Sequence, residues 1–352
     1  MENNLRENIQ PHMQQNEQVN IQQNIQLKEQ PHIQTGMPPG RSSSLYPYQG
    51  IILLIVSAVI IFLIGPFLSA FLGLHGTLLS EYMLLGAALL IVWMFKSNFE
   101  EAFPIKMPTI TGISGIILLW LGTFGIVMVL TLVITALFPA QMYETGSGLN
   151  SAFTGLPFLI TVFILAITPS ICEEAVFRGV VLHSFRSYMS KWGVIALTGV
   201  IFGIFHGSIW RFVPTALLGM MLAYIVAETD NMIYSGIVHC INNLLPVVLL
   251  FLTQGIYENV DVPSAVSGAA NWMAVGVYMI MGMFTPFCIY IGNYLLHREQ
   301  PGYRTSIFPR GRYWIAAVLA AFSFTIMISG VMIIVISIAA EPAFTNEILQ
   351  SL

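Results

Sequence analysis

Nine apolar stretches fix what this chain can become. They run at about 50–74, 79–95, 111–138, 155–187, 191–209, 211–227, 230–253, 268–296 and 313–340. Each is near the roughly 20 residues that a helix needs to cross a ~30 Å hydrocarbon core. In lipid every backbone N–H and C=O must be satisfied within its own segment, and at these lengths only a helix does so. The expected fold is therefore all-α: a polytopic transmembrane bundle of about nine helices, a multi-pass integral protein with the lipid bilayer as its first partner. The chain is 56% hydrophobic and only 9% charged, against about 25% charged in soluble domains. No basic block marks a nucleic-acid partner.

Residues 1 to about 48 differ in kind. They are rich in Gln and Asn, NIQ occurs at Asn8, Asn20 and Asn24, and QPHMQ at Gln10 returns as QPHIQ at Gln30. Such a tract cannot bury enough apolar surface to offset its ordering entropy, so 1–48 is expected to be a disordered tail. It does not read as a signal peptide, because the first long apolar run starts near Ile51. The expected division is this tail, accessory transmembrane helices at 49–104, a catalytic helical core at 105–253 and two further accessory helices at 254–352. Arg41, Lys96, Lys106, Arg186, Lys191, Arg298, Arg304, Arg310 and Arg312 fall before the first segment and in the even-numbered connections. By the positive-inside rule these face the cytoplasm. The N-terminus is thus expected there, in the cell membrane if the source is bacterial.

Polar groups inside the apolar segments point to function. A charge at bilayer depth costs roughly 2.5–3.5 kcal/mol on insertion scales. The fourth segment nevertheless reads LPFLITVFILAITPSICEEAVFRGVV, with Glu173, Glu174 and Arg178 in it. Glu174 and Arg178, at i and i+4, share a helix face and can pair. Glu173 is turned about 100° away, free of a local counter-charge and available as a general base. Pro169, four residues earlier, interrupts the helical hydrogen bonding and predicts irregular backbone at that depth. An ion-pair network that only locks helices together is the plainer alternative.

The fifth segment carries Phe202 and His206 on one face, with Gly199, Gly203 and Gly207 every fourth residue, a strip for close helix approach. The fourth and fifth segments form a hairpin turning near 188–191. Counting about 15 residues out from each end of that turn puts Glu173 and His206 at the same depth. The seventh segment adds His239 and Asn243, again i and i+4. These can donate hydrogen bonds to a developing oxyanion, or satisfy each other as interhelical contacts. Cys172, Cys240 and Cys288 lie in apolar segments without a disulfide or zinc spacing and are expected as free thiols.

EEAVFRG at Glu173–Gly179, FGIFH at Phe202–His206 and HCINN at His239–Asn243 resemble the EExxxR, FxxxH and HxxxN motifs of the CPBP family. That family comprises CAAX prenyl endopeptidases, bacteriocin-processing proteases and abortive-infection-type proteins. The resemblance covers about 105–250 and implies an intramembrane endopeptidase acting on a membrane-associated peptide or protein. In it, Glu173 activates water, His206 assists, His239 and Asn243 form the oxyanion hole, and Glu174, Arg178 and Phe202 support the site. The cofactor is none or zinc. There is no HExxH, yet Glu173, His206 and His239 are candidate ligands drawn from three helices. The alternatives are a non-catalytic scaffold, immunity or sensor protein using the same pocket, and a proton-relaying transporter.

Overall fold

The computed structural model describes residues 45–145, 156–257, 268–298, 300 and 302–340. Among them there is no strand, and eight helices are long and apolar enough to cross a membrane. They are α1 Pro47–Leu72, α2 Leu74–Met94, α3 Ile110–Leu137, α4 Phe158–Phe185, α6 Ile209–Thr229, α7 Met232–Tyr257, α8 Asn271–Arg298 and α9 Trp314–Ala339. Between α4 and α6 lies a shorter helix, α5 Lys191–Phe205. The protein is a multi-pass helical membrane protein. Large apolar side chains such as Phe71, Trp93 and Leu159 remain exposed on its flanks, as lipid-facing surface requires. The tail expected to be disordered lies outside the described residues up to position 44; α1 begins at Pro47, whose ring suits the first turn of a helix.

The fifth segment departs from expectation. A span over 191–209 was predicted, but α5 has 15 residues, a rise of about 23 Å. Gly207 is the cause: its φ of 65° turns the backbone out of the helix, and Ser208 opens α6 in extended conformation. Gly207 is thus a terminator, and only Gly199 and Gly203 act as the close-approach strip. A Cβ on Gly199 would lie 2.7 Å from the Met220 amide and 2.8 Å from the Ala216 carbonyl. One on Gly203 would meet Phe212 O at 2.9 Å. The hairpin of α5 and α6 is held at backbone contact by these two absences of side chain.

Helices α4 and α6 form the centre, each with half of its apolar span buried, against 6% for α9. α4 packs on α1, α2, α5, α6 and α7, while α3 and α8 pair on the outside and α9 leans on α8. α4 is one continuous rod with two π-helical turns, Phe163–Ile167 and Ala175–Val181, on either side of Pro169. The first absorbs the proline: Thr168 Oγ1 donates to the Phe163 carbonyl at 2.9 Å. The second carries Arg178. π-turns of this kind collect at functional sites.

One end of the bundle is closed by charge. Asp230, in left-handed conformation at the end of α6, accepts from Lys106 Nζ at 3.2 Å and Arg186 Nη1 at 2.9 Å, with His183 Nε2 at 3.8 Å. Glu228 pairs with Lys191 and with His297, whose Nε2 lies 3.4 Å away. His297 lies in the last turn of α8, not in a loop as its position near the end of an apolar run indicated. Asn231 holds the α2–α3 connection by accepting from the Lys106 amide at 3.2 Å and donating to its carbonyl at 3.0 Å. Tyr46, at the start of α1, meets Tyr188 of the α4–α5 connection. The start of α1 and the connections α2–α3, α4–α5, α6–α7 and α8–α9 therefore gather at one end. The last turn of α6 and the α6–α7 connection supply the acids that answer the bases, Glu228 and Asp230.

Gly199→Val is expected to wedge α5 off α6 and cost about 1–3 kcal/mol, read as a lower unfolding midpoint in detergent. Gly86→Ala, where a Cβ meets nothing within 4 Å, should leave that midpoint in place. The His183 imidazole beside it and the hydrogen bond from Arg186 hold the Asp230 carboxyl well below the ordinary carboxylate range. Its folded value lies below its unfolded one, near 3.9, so its stabilisation is complete above roughly pH 4 and is lost as pH falls further. Melting temperatures followed from about pH 5 down to pH 2 should fall less steeply in Asp230→Asn.

Candidate active site

The middle of α4 assembles the site. Arg178 is fully buried and donates from Nη1 to Glu174 Oε1 at 2.9 Å and from Nη2 to the Gly219 carbonyl of α6 at 3.2 Å. Its Cζ lies 4.3 Å over the ring of Phe202 on α5, a cation–π contact strengthened by desolvation. His239 of α7 brings Nδ1 to 3.0 Å from the same Glu174 oxygen. One ion pair thus ties α4 to α5, α6 and α7. The i, i+4 spacing of Glu174 and Arg178 made the pair itself legible; its attachment to three other helices was not.

Glu173 points elsewhere, as its 100° offset required. Its side chain is 19% exposed, and Oε2 is buried with no hydrogen-bond partner among the described residues. His239 Nε2 stands 3.8 Å from that oxygen, beyond hydrogen-bond length. Glu173 and His206 line one cavity of about 300 Å³, as their equal depth on the hairpin led one to expect. His206 occupies the C-cap of α5, with Nδ1 2.8 Å from the Phe202 carbonyl. A carbonyl only accepts, so the ring proton sits on Nδ1 and Nε2 is left with its lone pair. Phe202 is fully buried with ring contacts to both His206 and His239, at 4.7 and 5.7 Å between centroids.

The other sequence candidates are placed differently. His239 does not pair with Asn243; its ring spans Glu174 and Glu173. Asn243 follows one turn later, half-buried, and neither residue is in the lining of the cavity. Asn242 accepts from Trp120 Nε1 at 3.4 Å and so anchors α7 to α3. Cys172 is buried as a free thiol, and Cys240 and Cys288 are half-buried and free. The zinc candidates Glu173, His206 and His239 do not converge: among the described residues no three His, Cys, Asp or Glu side chains form a group able to hold a metal ion.

Two residues at the site were not singled out from the sequence. Arg211, in the first turn of α6, lies within electrostatic reach of Glu173 and His206. Glu81 of α2 lines the same cavity as Glu173. A solitary acid in an apolar segment was the available signal, but no local motif surrounds it.

A helical membrane protein with a buried acid–base network and a free carboxylate beside an imidazole is the class this geometry defines. Residues 155–245 match the family model described as Rce1-like, type II CAAX prenyl endopeptidase Rce1-like. Over 131 residues the chain is 29% identical to the UPF0177 protein YxdF of Lactococcus lactis subsp. lactis (strain IL1403), covering 37% of this chain and 71% of that protein. No solved structure matches. Over residues 155–245 the chain is thus similar to a family of membrane-embedded CAAX prenyl endopeptidases, and the similar stretch contains the Glu173–Arg178, Phe202–His206 and His239–Asn243 segments.

Arg178→Ala leaves Glu174 buried and unpaired and is expected to cost about 3–5 kcal/mol. Adding Glu174→Gln removes the orphaned charge and should recover part of that loss. A double-mutant cycle on unfolding free energies measures the coupling, and strict additivity would refute it.

Proposed function

We propose that the protein is a glutamate-dependent intramembrane endopeptidase that hydrolyses a peptide bond of a membrane-associated peptide or protein. The observation that carries this reading is the division of the acid pair. Glu174 Oε1 takes hydrogen bonds from both Arg178 and His239, while Glu173, with no hydrogen-bond donor on its Oε2 among the described residues, lines the cavity shared with His206 and its bare Nε2. A scaffold needs no such separation of an engaged and a free carboxylate.

In the proposed reaction Glu173 removes a proton from water as its oxygen attacks the scissile carbonyl. His206 Nε2 accepts a hydrogen bond from the same water and orients it. The charge that develops on the carbonyl oxygen is met by His239 and Asn243, successive turns of one face of α7. Collapse breaks the C–N bond, and the proton held by Glu173 passes to the leaving nitrogen. Glu174 and Arg178 fix the α4 backbone and the His239 ring. Support for α7 as the oxyanion side comes from the motif resemblance and from the anchoring of His239 by Glu174. The N-terminus is assigned to the cytoplasmic side, on the Lys and Arg of the even connections.

Termini of membrane proteins, compared by mass spectrometry between cells carrying wild type and Glu173→Gln at matched expression, test the reading. Termini that depend on Glu173 are expected. Identical termini, with the variant still rescuing a deletion, would replace the peptidase by the scaffold. Asn243→Ala is expected to slow cleavage by about 10²–10³ without abolishing it, and a metal chelator to leave cleavage in place.

A further inference from the structure

The cavity beside Glu173 has a wall that comes from outside the segment matched to the protease family. α1 contributes Ile61 and Pro66, and α2 contributes Glu81 and Leu84; Phe177 and Phe205 face them from α4 and α5. Glu81 Oε2 is buried and has no hydrogen-bond partner among the described residues. The hydroxyls that line the cavity with it are engaged with other groups. Ser80 donates to the Gly76 and Thr77 carbonyls, at 3.2 and 2.8 Å, and Ser69 pairs with Thr77 at 3.3 Å.

Charges at this depth do not balance. Glu81, Glu173 and Glu174 are three acids. Arg178 is spent on Glu174, on the Gly219 carbonyl and on the Phe202 face. Of the other bases, His239 lies between Glu174 and Glu173, and Arg211 is within electrostatic reach of Glu173. A buried carboxylate without a partner is costly unless it takes up a proton, and the complement that keeps it charged is a cation that brings its own hydrogen-bond donors. The cavity also has the shape of chemistry that a long basic side chain offers: an acid at the wall and apolar groups to cover a methylene stem.

We propose that Glu81 is a specificity residue that receives the ammonium or guanidinium of a Lys or Arg side chain, carried by an apolar membrane-associated substrate near the bond presented to Glu173. The position of the cleaved bond rests on the peptidase reading; the binding of the basic side chain does not. The catalytic helices supply the reaction, and α1 and α2, which lie outside the family match, supply the choice of substrate.

The test is a binding measurement on full-length protein in lipid nanodiscs. Its probe is a fluorescent apolar helical peptide in which norleucine is replaced by a single Lys, scanned one position at a time. Wild type should bind at least one Lys peptide about 10-fold or more tightly than its norleucine parent, the range of a hydrogen bond to a charged group. Glu81→Gln should erase that preference, and Glu81→Asp should keep a reduced one. Glu81→Ala serves as the neutral variant if the Gln protein does not elute as a folded monodisperse species. Equal affinities in wild type, or a preference that survives neutralisation of Glu81, would overturn the proposal. In cells, the Glu173-dependent termini of wild type should be enriched in Lys and Arg around the cut, and Glu81→Gln should lower the yield of those termini. If wild type and Glu173→Gln give the same termini, the peptidase reading fails while the binding scan still decides the role of Glu81.

Discussion

The buried contact between Arg178 and Glu174 is the interaction on which the rest depends. Neither charge can stay at this depth alone, and a bare pair would still leave donors and acceptors unmet. The chain answers by bringing three neighbouring helices to the pair: the Gly219 carbonyl from α6, the Phe202 ring from α5 and the His239 imidazole from α7. The ion pair is therefore weak evidence for stability as such and strong evidence for registry. If α5 slid along α4, the ring would leave the guanidinium. If α7 turned, Glu174 would lose its second donor.

That registry leaves a residue beside the network without a partner. Because Glu174 faces Arg178, its neighbour Glu173 is forced by helical geometry to face another way, towards His206 and the cavity. The π-turn at Ala175–Val181 and the early end of α5 at Phe205 place irregular backbone at the same depth. In a membrane such backbone is tolerated where it is buried in protein or borders a cavity, and here it borders one. A structural salt bridge, a broken helix and a free carboxylate are three consequences of one packing solution. The similarity of this same segment to a protease family agrees with reading the free carboxylate as the chemical group.

Charge does a second and separate task at the end of the bundle. Asp230 and Glu228 draw Lys106 and Arg186 from two connections, Lys191 from the start of α5 and His297 from the end of α8 to one place. Asp230 is partly solvated and Glu228 is buried, and together their pairs hold the connections α2–α3, α4–α5 and α6–α7 and the end of α8 against one another. The site is thus fixed by desolvated charge in the middle and by partly solvated charge at the end, with apolar packing and close glycine contacts between.

The sequence by itself determined the all-helical membrane architecture, because long apolar runs leave the backbone no other way to satisfy its hydrogen bonds in lipid. It also determined the pairing of Glu174 with Arg178 and the equal depth of Glu173 and His206, since both follow from rise and turn along helices adjacent in sequence. Tertiary structure alone decided which groups meet across distant segments. It gave His239 to Glu174 rather than to Asn243, brought Glu81 from α2 to the cavity, and turned Asp230 into the anchor of three bases. It also cut α5 short, since Gly207 reads equally as a member of a packing strip and as a terminator until a neighbouring helix fixes the backbone. Local periodicity says which face a residue occupies; only the packing of the other helices says what stands opposite that face.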